Sequence, residues 1–308
     1  MRRRRSTAAN WRLSLPESVS PSSGADAVAS APAIYCPNAD KDIPLCESNP
    51  EHIIPLAVGG LNSFTLPVSK DLNSRIGSEI DGALANDFLV MSQRDKHGVR
   101  GHSRKHPEFV TRNASDAVTG EPLQVTLGQR RGLRLWSPRE ERDVTGRGQK
   151  VNLQFSMDID VELRFVAKVA LSAGYYVYGD QFRNHVKHED FRAIMNQRPN
   201  EMGETLKTIE ARYDHRFREP ETDNDRILRA MTSGFAPRSM VALIPNSNSL
   251  SVVVGILGYY LGMLNVPADP RRFPNADEFR MGHIIVLDKP LAIRDSVWKL
   301  LQMMSRPR

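Results

Sequence analysis

The chain has 308 residues, 40% of them hydrophobic, enough for one large domain or two ordinary ones with a real core. Its formal net charge of +6 admits an anionic partner without requiring one. Two cysteines, Cys36 and Cys46, exclude a disulfide framework and point to a reducing cytoplasm; the Arg2–Arg5 run lacks the apolar segment of a secretion signal.

Residues 1–32 are rich in Ser, Ala, Pro and Arg without apolar periodicity, and read as a disordered basic tail. Over 33–110, Ile34-Tyr35-Cys36 and Glu51 to Leu56 read as short strands. A helix is expected from Ser69, its N-cap, because Leu72, Ile76, Ile80, Leu84 and Phe88 recur every four residues. A ββα piece of this size cannot bury much core alone and must dock on the rest of the chain.

A basic stretch follows between Met91 and Pro107, with Arg94, Lys96, Arg100, Arg104 and Lys105 among His97, His102 and His106. The histidines have no regular spacing that would mark a metal site. The stretch therefore reads either as a solvated basic loop or as a phosphate-contacting surface. A second basic patch lies at Arg130-Arg131-Gly132-Leu133-Arg134.

From Val151 the pattern changes. Glu162 to Tyr178 predicts a strong helix, with shorter ones at Asp190–Ile194 and Asp223–Met231. Met240–Ile244 and Gly282–Leu287 read as strands, and Ile293–Met304 as a terminal helix. The apolar run Leu250–Val266 is short for a membrane span and holds three glycines, so it reads as a buried hairpin. The expected class is α+β: an N-terminal ββα unit over 33–110 docked on a larger mixed region, 111–308.

The chemistry concentrates in Glu51-His52-Ile53-Ile54-Pro55, then Gly59-Gly60 and Asn73. A carboxylate beside an imidazole places a hard oxygen ligand next to a group that exchanges protons near neutrality. Pro55 and the paired glycines force a turn, and Asn73 can return a second oxygen. Phosphodiester hydrolysis needs water deprotonated, the pentacovalent phosphorus stabilised and the leaving oxygen neutralised. One divalent ion can do the last two, and Glu and Asn oxygens suit Mg²⁺ or Mn²⁺.

On Cys36, Cys46, Glu51 to Pro55, Gly59-Gly60 and Asn73-Ser74-Arg75-Ile76-Gly77 through Ile80-Asp81, the sequence resembles the HNH endonuclease family over about 50 residues. A fainter likeness lies in Arg164, Ala167-Lys168 and Gly179-Asp180, which resemble the lysine helix of proteins carrying this domain. The resemblance implies a ββα-metal fold that hydrolyses DNA, with RNA left open, and one Mg²⁺ or Mn²⁺ ion. It implies His52 as general base and Glu51 and Asn73 as metal ligands. Asn62 is the candidate to orient the histidine. Arg75, Arg94, Arg100 and Arg104 are candidates to grip the backbone.

Two departures qualify the resemblance. Where the family has a second pair of zinc-binding cysteines, this chain has Ser69 and Leu72, so no structural zinc is expected. Where several members have another ligand four residues past Asn73, it has Gly77. Asp81 would sit about 80° around an α-helix from Asn73 and roughly 12 Å along it, so it is expected to anchor the helix or a nearby arginine. These departures motivate the alternative of an inactive HNH-derived nucleic-acid-binding protein. Over 111–308 no nucleotide loop, nucleophile elbow or dinucleotide fingerprint appears.

Overall fold

The computed structural model describes residues 32–128, 132–146, 148–154, 158–198, 201–207, 209–214, 219–220, 222–273 and 279–304. Apart from Pro32, the expected tail over 1–32 lies outside these residues, as do Arg130 and Arg131. Helix and strand shares of 36% and 34% place the chain in a mixed α+β class.

Two antiparallel hairpins come first: β1 (Ala33–Cys36) with β2 (Lys41–Pro44), and β3 (Ser48–His52) with β4 (Thr65–Ser69). Cys36 is buried with Ile43 and Val68, and its Sγ accepts from the Ser69 amide at 3.4 Å. Cys46 is exposed, so only one of the two cysteines is a core residue.

Strand β4 runs into helix α1 (Lys70–Ile76). The expected single helix from Ser69 is corrected in three places. Ser69 makes no side-chain capping bond. At Gly77–Asp81 the helix widens into a π turn, with the Gly82 amide reaching the Gly77 carbonyl. After α2 (Gly82–Asn86), Asp87 breaks the helix and caps α3 (Phe88–Lys96) by accepting from the Leu89 and Val90 amides. The cause is in the spacing. Apolar residues every four positions drift about 40° per step on an α-helix of 3.6 residues per turn. One extra residue in a π turn takes back about 100°. Ile76, Ile80 and Leu84 are all buried as a result.

A five-stranded sheet that the sequence reading does not foresee follows: β5 (Phe109–Asp116), β6 (Pro122–Gly128), β7 (Gly132–Ser137), β8 (Arg142–Asp143) and β9 (Val151–Leu153). Its alternation is short, with Leu123, Val125 and Leu135 buried, and charged residues interrupt it. Arg134, from the second basic patch, pairs with Asp143 at 2.9 Å.

Helix α4 (Ile159–Tyr178) begins at Asp158, whose carboxylate accepts from the Val161 amide. Then come α5 (Asp180–His185), α6 (Glu189–Met195), α7 (Met202–Thr205), β10 (Glu210–Tyr213), α8 (Asp223–Ser233), β11 (Ser239–Pro245), β12 (Ser249–Ile256), β13 (Tyr259–Pro267), β14 (His283–Asp288), β15 (Leu291–Ser296) and α9 (Val297–Met304). The last six strands form an antiparallel sheet in the order β10-β13-β12-β11-β14-β15. Leu250–Val266 is the expected hairpin, β12–β13. The expected terminal helix is shorter than read, because Ile293–Ser296 belongs to β15. Among the described residues no helix is long and apolar enough to cross a membrane.

Helix α4 packs on β12 and β13 and against α5 and α6, and Leu163 through Gly174 are all buried. Ile53, Ile54, Phe64, Ile76, Ile80 and Leu84 share its hydrophobic cluster. The N-terminal hairpin and helix are thus built onto the central helix; each such large apolar side chain contributes roughly 1.5–3 kcal/mol by burial. The connection is tight at the glycine pair. Pro55 O accepts from the Val58 and Gly60 amides, and a Cβ on Gly60 would fall 1.7 Å from Ile54 O. Ser239 of β11 donates to Val58 O at 2.6 Å and pins the loop to the large sheet.

Candidate functional site

Glu51 and His52 are the last two residues of β3, opposite Leu66 and Thr65 of β4. The loop Ile53–Phe64 leaves β3 with Ile53 and Ile54 buried, then returns past Asn62. Asn62 Oδ1 lies 2.9 Å from His52 Nε2. With a carbonyl accepting there, the ring proton sits on Nε2 and Nδ1 presents its lone pair. A residue placed early in the loop by sequence therefore reaches the histidine.

Glu51 is only 3% exposed. Its Oε1 lies 2.9 Å from Lys168 Nζ on α4, and its Oε2 accepts from Asn38 Nδ2 at 2.9 Å. Lys168 is fully buried and also donates to Asp81 Oδ2 at 3.1 Å, His52 O at 3.0 Å and Ile53 O at 3.4 Å. One ammonium thus ties β3, the turn after it and the π turn to the central helix. Burial alone would lower its pKa; Asp81 and Glu51 outweigh burial and hold it above the ordinary lysine value.

Asp81 anchors the helix to Lys168, not to an arginine, which corrects the sequence expectation. The separation expected between Asp81 and Asn73 is also corrected. The π turn takes back about 100° of rotation, so an offset of about 80° becomes about 20°. Asn73, Gly77, Asp81 and Ala85 now line one cleft together with Glu51 and His52. The cleft encloses about 420 Å³. Asn73 Nδ2 donates to Asn49 Oδ1 at 2.9 Å, which commits its nitrogen and leaves its carbonyl oxygen to accept. No atom lies within 4 Å of where a Gly77 Cβ would project, so the gap in the ligand pattern is open space.

Burial pushes the Asp81 pKa up from 3.8 to about 6; Lys168 pulls it down and Glu51 pushes it further up. A raised acid pKa means the folded chain holds a proton that the unfolded chain releases. Stability from this group is therefore lost as pH rises from about 4 to about 6, by roughly 3 kcal/mol for two pKa units. Metal-free urea denaturation at pH 4.5 and pH 7 should show wild type losing stability relative to Asp81→Asn across that window. A constant difference between the two would refute the assignment.

The remaining candidates separate by exposure. Arg94 is buried at 9% and donates to Ala85 O, so it is not a surface contact; that expectation is corrected. Arg75 is exposed and donates to Asn196 Oδ1 at 2.9 Å, and Arg100 and Arg104 are exposed. Of the three loop histidines, His102 alone lines the cleft, with its ring 5.7 Å from that of His52. Sequence reasoning missed Asn38 outright. It assigned no role to His102, and its likeness for Lys168 gave that residue no partner. The signal for Lys168 was a lone cation in an otherwise apolar helical run; nothing local to Asn38 announced it.

In donor type the site suits a hard divalent ion: two carboxyl groups around one ammonium, with an amide oxygen beside them. An ion at Glu51 would share the carboxylate with Lys168 and Asn38. Among the described residues no three His, Cys, Asp or Glu side chains form a metal-holding group, so protein ligands would be few and waters several, as Mg²⁺ accepts. Compared with family models, with curated proteins and with solved structures, the chain finds no match in any of the three.

Proposed function

We propose that this chain is a cytoplasmic, metal-dependent endonuclease of the HNH type that hydrolyses DNA phosphodiester bonds, its β3–β4–α1 segment being the ββα-metal unit. The observation that carries the reading is the His52–Asn62 contact at 2.9 Å opening on a cleft shared with Glu51, Asn73 and Asp81. Those residues come from a strand, a loop and a helix separated in sequence. The cytoplasmic placement rests on the cysteine usage.

Glu51 and Asn73 would hold one Mg²⁺ or Mn²⁺, which when bound supplies Lewis-acid charge at the scissile phosphate. His52 Nδ1 takes the proton of the attacking water, and Asn62 fixes the ring so that this nitrogen faces the cleft. Lys168 holds the Glu51 carboxylate in place from behind. The exposed Arg75, Arg100 and Arg104 carry the nucleic-acid backbone.

One observation favours a second reading, an HNH-derived nucleic-acid-binding protein without catalysis: Glu51 already has Lys168 and Asn38 on its two oxygens. Supercoiled plasmid separates the two. Purified protein with Mg²⁺ or Mn²⁺ should nick it, and EDTA should stop the nicking. Salt-dependent binding with no nicking in either metal would leave the second reading standing. A parallel assay on single-stranded RNA decides whether RNA is also cut.

A further inference from the structure

His102 is held beside the proposed catalytic histidine by a loop that is itself anchored on both sides. Val99 is buried in the main core, and its amide donates to Arg94 O at 2.8 Å. Gly101 lies against Ala57, where an added Cβ would be 3.3 Å from the Ala57 Cβ. Arg104 closes the turn by donating its amide to Gly101 O at 3.0 Å. Between these fixed points the only ring that enters the cleft is that of His102, edge-on to His52. The segment 98–106 carries Arg100, Arg104 and Lys105 and no carboxylate.

We propose that His102 is a direct contact to the scissile phosphate and that the loop 98–106 is the wall of the cleft along which the nucleic-acid backbone lies. This rests on the nuclease reading and adds to it the residue that holds the phosphate opposite the candidate ligands Glu51 and Asn73. The chemistry is that of an imidazole N–H donating to a non-bridging phosphate oxygen, with exposed guanidinium groups nearby to carry neighbouring phosphates. The two rings touch, which leaves no space for a phosphate between them. The phosphate must therefore sit against both from the open side of the cleft. There, His52 reaches the attacking water and His102 reaches a non-bridging oxygen.

His102 is exposed, so His102→Ala should fold and melt as wild type does. It should lower kcat/KM for a DNA duplex about 10- to 100-fold, the scale of a hydrogen bond to a charged group. It should also weaken binding of the same duplex in EDTA about 5-fold on that scale, and His102→Arg should restore binding. Binding without metal is the deciding readout. A residue that merely props His52 would change cleavage and leave binding untouched, and that outcome overturns the proposal. Wild-type binding and cleavage by His102→Ala would also overturn it, while metal-dependent cleavage by the wild type kept the nuclease reading intact. If no variant cleaves but His102→Ala still loses binding that His102→Arg recovers, the contact stands and the catalytic reading falls. Absence of DNA binding by the wild type overturns both.

Discussion

His52→Ala should abolish Mg²⁺-dependent DNA cleavage, with a loss of at least about 10²- to 10⁴-fold in single-turnover rate, the range a positioned general base contributes. The expectation depends on His52 acting through its ring alone. Its other link to the structure is the backbone carbonyl, which accepts from Lys168, and alanine keeps that carbonyl. The ring is half-buried and its polar partner is Asn62 Oδ1, so truncation removes the base without opening a large cavity. Circular dichroism and thermal unfolding should therefore match wild type. Asn62→Ala should give an intermediate loss, because the base remains but its ring is no longer held with Nδ1 toward the cleft. Equal rates for wild type and His52→Ala would sink the mechanism, whatever the metal requirement.

Much of this arrangement could be read along the chain. Glu51 to Pro55 ends a strand and turns, as the proline and the glycine pair indicate, and Asn73 starts a helix. What was not legible was how the helix carries its faces. A four-residue apolar spacing was read as an ordinary stripe, when its drift relative to 3.6 already required a wider turn. The π turn at Gly77–Asp81 resolves the drift for two rows at once. Ile76, Ile80 and Leu84 go to the core, while Asn73, Gly77, Asp81 and Ala85 go to the cleft.

Contacts across long separations were hidden for a different reason. Lys168 reaches Glu51 across 117 positions and Asp81 across 87, and no local pattern encodes a partner that distant. The five-stranded sheet was missed because alternation over three or four residues, broken by charges, falls below what periodicity can separate from a loop. Its core depends on neighbouring strands that only the fold supplies.

Lys168→Met should destabilise the protein by about 3–5 kcal/mol, the cost of removing one partner from a buried ionic cluster. Methionine nearly matches the lysine stem in volume, so the loss would come from the ammonium and not from packing. The carboxyls of Glu51 and Asp81 would then face each other with no cation between them, and the carbonyls of His52 and Ile53 would lose their donor. Because the ammonium joins α4 to β3 and the π turn, the damage should localise. Hydrogen exchange should show the segment 48–86 opening well before the large sheet does. Adding Glu51→Gln and Asp81→Asn to Lys168→Met should recover much of the loss, since neutral amides can satisfy each other where two carboxylates cannot. A loss below about 1 kcal/mol in urea denaturation would mean that solvent or another donor reaches the cluster. The recovered triple variant would also separate stability from chemistry. It should fold without the Glu51 carboxylate, so its failure to bind Mn²⁺ by calorimetry would assign that carboxylate to the ion independently of any cleavage assay.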